Sequence, residues 1–108
     1  MSCDNHIYEN GFRLIHEKSP FNTEQIAINV FCDIGSIHES QENLRGAAHF
    51  IEHMCFKGTA RISDTHTLSL VFDKSGAFLN AFTDRRYTCY YVTGLSSHMC
   101  DYINVLGD

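Results

Sequence analysis

His49-Phe50-Ile51-Glu52-His53 sets two histidines four residues apart, with a glutamate immediately before the second. On a helix, positions 49, 52 and 53 share one face, because side chains three and four residues apart are neighbours. Two imidazoles so placed can take one metal ion, and the carboxylate beside them need not be a ligand. A metal of that kind makes a water acidic near neutral pH, and a carboxylate at hand can take the proton. The plain alternative is an amphipathic helix that carries two surface or core histidines.

Working outward, the residues around the pentapeptide predict a helix from Asn43 to Phe56, stopped at Lys57-Gly58-Thr59. Upstream, Ile26, Ile28, Val30, Cys32 and Ile34 alternate with Ala27, Asn29, Phe31 and Asp33. Period two over nine residues predicts a strand with one face in the core. Asn10-Gly11 between His6–Glu9 and Phe12–Glu17 predicts a hairpin with a two-residue turn, and Ser19-Pro20 breaks its second strand. Downstream, Ser63 or Asp64 caps a second helix whose inner stripe is Leu68, Val71 and Phe72, closed by Gly76. Ala77–Thr83 and Tyr87–Leu95 predict a second hairpin across Asp84-Arg85-Arg86, with the adjacent arginines in a solvated turn. Ser96-Ser97 caps a third helix with Met99, Tyr102, Ile103 and Leu106 inside. The expected fold class is α+β, with helices packed on a mainly antiparallel sheet. The last helix is barely two turns old at Gly107-Asp108, so residues 1–108 read as a single partial domain with an incomplete sheet.

Composition narrows the function. The chain has 108 residues, 44% hydrophobic and 19% charged, within the ordinary globular range. A net charge of −5 argues against a nucleic-acid partner, which needs clustered Lys and Arg. No run reaches membrane-spanning length. Five cysteines without a C-x-x-C pair indicate neither a disulfide framework nor a zinc knuckle, and most read as buried thiols in a reducing compartment. Met1 to Asn10 has neither a signal-peptide core nor an Arg-rich transit character. A soluble intracellular chain is expected, with the cytoplasm favoured over the mitochondrial matrix.

The run Gly46-Ala47-Ala48-His49-Phe50-Ile51-Glu52-His53-Met54-Cys55-Phe56-Lys57-Gly58-Thr59 resembles the active-site helix of the pitrilysin/insulinase family of zinc peptidases, whose motif is the inverted H-x-x-E-H. Asp33-Ile34-Gly35-Ser36-Ile37-His38-Glu39 is similar to the strand end before that helix. Gly76-Ala77-Phe78-Leu79-Asn80-Ala81-Phe82-Thr83 and Tyr87-Thr88-Cys89-Tyr90-Tyr91 are similar to its second hairpin. The likeness runs from about Tyr8 to the C-terminus and is strongest to the processing-peptidase members. It implies that the chain is the N-terminal part of a zinc endopeptidase. His49 and His53 would ligate one zinc ion, and Glu52 would be the general base. Asn80, Ala81 and Phe82 would form the edge strand on which an extended peptide substrate lies, with Phe82 beside the cleavage point.

The resemblance also implies a glutamate as third zinc ligand, further along than Asp108, and a second homologous half or subunit that closes the chamber. Nothing in the spacing of His66, His98 or Cys100 makes them substitutes. Arg86 departs from the family, whose members often carry a glutamate there. These 108 residues are therefore expected to be weakly active or inactive alone. Two other readings stay open: a catalytically silent structural homologue of a processing-peptidase core subunit, and a metalloenzyme like S-ribosylhomocysteine lyase, with a cysteine as third ligand.

Overall fold

A computed structural model of the chain describes residues 2–108. Two antiparallel sheets and three helices follow in the order β1 (Cys3–Ile7), β2 (Arg13–Glu17), β3 (Gln25–Cys32), α1 (Ala47–Cys55), α2 (Thr65–Asp73), β4 (Phe78–Thr83), β5 (Thr88–Leu95) and α3 (Met99–Gly107). The expected α+β class is what forms. The larger sheet has the order β3-β5-β4, so β5 is central and β4 is an edge. The β1–β2 hairpin is a separate two-stranded sheet, exposed along its whole length.

The alternation read in β3 is the alternation observed. Its residues Ile26, Ile28, Val30 and Cys32 are half-buried, while the residues between them are exposed. Ile28 pairs with Val92 of β5, and Leu79 of β4 pairs with Val92 from the other side. Val92, Leu68, Phe72 and Tyr102 form the buried core, with Ile26, Ile28, Leu79 and Leu106 packed around them. Strands thus present one face to all three helices, as period two requires. Tyr102 stacks on Phe72 and donates its hydroxyl to Ser75 Oγ at 3.1 Å, which satisfies the polar tip of a fully buried phenol.

Several boundaries differ from expectation, each for a local reason. The first hairpin turns through three residues, not two. Gly11 N–H donates to the Tyr8 carbonyl, Tyr8 N–H to the Phe12 carbonyl, and Asn10 Oδ1 accepts from Phe12 N–H. With Gly11 left-handed at φ 85°, this is a turn followed by a one-residue bulge. Strand β3 stops at Cys32, two residues short of Ile34, where the chain bends toward β5. The helix expected from Asn43 begins only at Ala47. Glu42–Leu44 form a short 3-10 turn, Arg45 is extended, and Gly46 is left-handed at φ 82°. Ser96–His98 likewise form a 3-10 turn ahead of α3. The cysteines also depart from expectation: Cys89 is buried and Cys32 half-buried, while Cys3, Cys55 and Cys100 are exposed. Apolar neighbours in sequence do not bury a side chain that its element turns outward.

The segment after β3 is fastened to the β4–β5 turn. Ser36 N–H donates to the Asp84 carbonyl at 3.2 Å and Ile37 N–H to that of Arg85 at 2.8 Å. Gly35 lies so close to the backbone of Asp84 and Arg85 that a Cβ there would collide with it. Arg86 in the same turn is exposed and sits 3.6 Å from Asp33, so the adjacent arginines do occupy a solvated turn.

Three carboxylates close loops and helix ends, each held below its ordinary pKa by the bonds it accepts. Glu39 takes the backbone N–H of Ala48 and then Gly46; Asp64 takes Thr67 N–H and its hydroxyl; Asp108 takes the Thr59 hydroxyl and then Arg61 N–H. A lowered carboxyl favours the folded state while it is ionised. That contribution is complete above the unfolded values near 4.5 and 3.8 and is lost as pH falls through the lower folded ones. Thermal melts are therefore expected to lose midpoint between about pH 5 and pH 3, and Asp64→Asn should shrink that loss.

Candidate metal centre and edge strand

Helix α1 is nine residues long, and its faces are divided cleanly. Ala48 and Glu52 are buried, whereas His49, Phe50, Ile51 and His53 are exposed. The His49 and His53 rings stack with centroids 4.6 Å apart, and their Nε2 atoms approach to 2.7 Å. Two imidazole nitrogens that close cannot both carry a proton toward each other, so one donates while the other accepts. With both rings in the tautomer that leaves Nε2 unprotonated, the two converging lone pairs suit a shared cation. Zinc–nitrogen bonds of about 2.0–2.1 Å in a tetrahedral shell need nitrogens a little over 3 Å apart, a small ring rotation away. The donor set thus fits zinc as two of its ligands. Among the described residues, no group of three or more metal-capable side chains forms. His98 lies 3.6 Å from Asp101, an ordinary i, i+3 contact on α3.

Glu52 is only 7% exposed, and α1 packs on β4. Its Oε2 accepts the hydroxyl of Thr83, the last residue of β4, at 2.7 Å. No donor from the described residues reaches Oε1. Tyr90 of β5 points to the same region and donates its hydroxyl to Cys55 Sγ at 3.4 Å. Burial first, then the Cys55 bond and the nearby Cys32 and Glu52, push the Tyr90 phenol well above its ordinary pKa, so it stays a neutral donor.

The edge strand lies beside this helix. β4 pairs with β5 from Phe78↔Thr93 to Thr83↔Thr88, and its other edge is free among the described residues. Asn80 and Phe82 are exposed on the sheet face away from the helices, while Ala81 is half-buried on the helix side. Asn80 Oδ1 accepts from Ala81 N–H at 2.8 Å, and the Phe82 ring sits 6.2 Å from those of Tyr87 and Tyr91. The structure thus brings His49, His53 and Glu52 together on one helix, with Asn80, Ala81 and Phe82 on the strand beneath it. Sequence reading assigned no role to Thr83, Tyr90 or Glu39. Thr83 and Glu39 stood within quoted motifs, yet nothing local in the sequence joins either to α1.

Comparison with known proteins bears on the family and the fold. The family model described as Insulinase (Peptidase family M16) matches residues 13–108. A zinc protease of Bacillus subtilis, YmxG, is 41% identical over 100 residues, which are 93% of this chain and 24% of that protein. The β subunit of rat mitochondrial-processing peptidase is 39% identical over 93% of the chain and 20% of its own length. Core protein I of the ubiquinol-cytochrome-c reductase complex of Euglena gracilis is 39% identical over 92% of the chain. A protease from Helicobacter pylori superposes with a TM-score of 0.85 at 22% identity, covering 96% of this chain and 24% of its own. The chain spans 24%, 19% and 20% of the length of the bacterial protease, the core protein and the processing-peptidase subunit.

The Thr83–Glu52 bond yields a direct test. Thr83→Val removes the hydroxyl and leaves a buried carboxylate oxygen unpaired, which costs about 1–3 kcal/mol. Thr83→Ser keeps the donor and should cost much less. Urea unfolding of the three chains measures the difference.

Proposed function

Because the chain belongs to the insulinase family, peptidase family M16, we propose that it carries the metal-binding and proton-accepting part of a zinc endopeptidase that cleaves extended peptides. The observation that supports this most is the pair of converging Nε2 atoms 2.7 Å apart beside a buried glutamate. We read residues 1–108 as the N-terminal part of the zinc-binding domain. His49 and His53 hold one zinc ion through Nε2, and a further protein ligand comes from polypeptide outside these residues. When bound, zinc supplies Lewis acidity toward a water and a peptide carbonyl.

Glu52 is the general base. Thr83 occupies its Oε2, so Oε1 is the atom free to take a proton from the attacking water and return it to the leaving amine. Burial shields the carboxylate from bulk water, and the hydroxyl bond fixes its rotation. The substrate backbone adds to the free edge of β4, where Asn80 Oδ1 gives up the Ala81 N–H to a peptide carbonyl. Phe82, with Tyr87 and Tyr91 around it, offers an aromatic surface to a side chain next to the cleaved bond. A second homologous half or subunit closes the chamber over the peptide; the names of relatives as subunits of larger assemblies support that partner. The free cysteines support a reducing, intracellular setting.

The relative named as a respiratory core protein makes a silent structural role the second reading. Intact His49, Glu52 and His53 favour the enzyme.

Competition with a chromophoric chelator should find one zinc ion per chain. His49→Ala and His53→Ala should each weaken it by more than the roughly 10–100-fold that loss of a hydrogen-bonded neighbour costs. Unchanged zinc retention in either variant overturns the ligand assignment. The purified 108-residue chain should hydrolyse a fluorogenic peptide weakly or not at all. Zinc-dependent turnover that vanishes in Glu52→Gln would refute the need for further ligands.

A further inference from the structure

Helix α1 begins without the devices that usually start a helix. Its N-cap is Gly46, which has no side chain to offer, and its first turn holds no acidic residue. Nine residues are too few for a helix to persist on propensity alone. The unpaired N–H groups of the first turn therefore need an acceptor from elsewhere. Glu39 supplies it from seven residues before the N-cap: Oε2 accepts Gly46 N–H at 2.7 Å and Oε1 accepts Ala48 N–H at 3.0 Å. One carboxylate closes two orphan donors and sets a negative charge at the positive end of the helix dipole.

His49 is the third residue of that helix, inside the turn that Glu39 closes, whereas His53 lies near the other end. If the first turn frays, His49 leaves its stacked place beside His53 and the two nitrogens no longer converge. Glu39 is itself anchored. Ser36 and Ile37 just before it bond to the carbonyls of Asp84 and Arg85, and Gly35 is pressed against the same turn. The fixed point is thus the β4–β5 hairpin, whose strand β4 also grips Glu52 through Thr83.

We infer that Glu39 is a positioning residue for the metal pair, carrying the placement of the β4–β5 hairpin to His49 through the first turn of α1. The inference rests on the zinc reading above for its purpose, but its structural content stands apart from metal.

The experiment uses the 108-residue chain with Glu39→Ala, Glu39→Gln, and the core variant Leu68→Ala as a control that destabilises without touching the start of α1. In metal-free protein, amide exchange should speed up at Ala48, His49 and Phe50 in Glu39→Ala, while Met54 and Cys55 keep wild-type protection relative to global stability. Glu39→Gln, which retains one acceptor oxygen, should fall between. Leu68→Ala should instead shift the protected amides of α1 together. Added zinc alone is the second probe. At a temperature where every variant is folded, Glu39→Ala should bind it about tenfold more weakly, and Leu68→Ala should match wild type.

Protection at 48–50 unchanged in Glu39→Ala, or zinc affinity lost equally in Leu68→Ala, overturns the inference. If wild type and His53→Ala bind zinc equally poorly, the zinc reading fails instead, and the exchange pattern alone decides Glu39.

Discussion

A carboxylate buried against a sheet must be held by a donor, and for Glu52 that donor is the Thr83 hydroxyl. The bond ties the middle of α1 to the end of β4 and so joins the two halves of the site, the imidazole pair and the edge strand. Without it α1 would lie on the sheet by apolar contact, through Ala48 and its neighbours, and by the long Tyr90–Cys55 bond at its last residue, and apolar contact does not fix rotation about the helix axis. A turn of α1 by one residue would carry His49 and His53 away from β4. The hydrogen bond is directional where the packing is not, and this is how Thr83 helps set where the face that carries His49 and His53 points.

The sheet in turn depends on β5. It pairs with β3 on one side and β4 on the other, supplies Val92 to the core and Tyr90 to the underside of α1, and buries Thr88 and Cys89 on its two opposite faces. Thr88 sends its hydroxyl to the Ile34 carbonyl at 3.0 Å, which takes up the chain just after β3 ends. Gly94 lets the Tyr102 ring lie against the strand: a Cβ there would come 2.5 Å from its hydroxyl. A small residue at such a point lets α3 pack onto the same sheet face as α2.

Much of this was legible from residue order. Period two in Ile26–Cys32, the stripe of Leu68 and Phe72, the Asp64 cap and the i, i+4 pairing of His49 with His53 all depend on neighbours within a few positions, and all reappear in the structure, although Glu52 turns to the buried side of the helix. The start of α1 was missed because its cap is remote: the apolar pattern continues back through Leu44, but Gly46 is left-handed and Glu39 does the closing. The three-residue turn at Glu9–Gly11 was missed because Asn-Gly also suits the longer loop once Asn10 turns its side chain back to Phe12. Exposure of Cys55 and Cys100 was missed because apolar company in sequence says nothing of which way a helical residue points. What sequence cannot carry is pairing across 31 positions, as between Glu52 and Thr83.

The free edge of β4 has a cost beside the use proposed for it. Phe78–Thr83 contains no charged residue and no proline, the two features by which exposed strands usually repel their own kind. Backbone groups open to a peptide are equally open to the same strand of another copy, and Phe78 and Phe82 add apolar surface to that encounter. The selectivity of such an edge is therefore a matter of competition and crowding. At high concentration another copy of the same strand would compete for that edge.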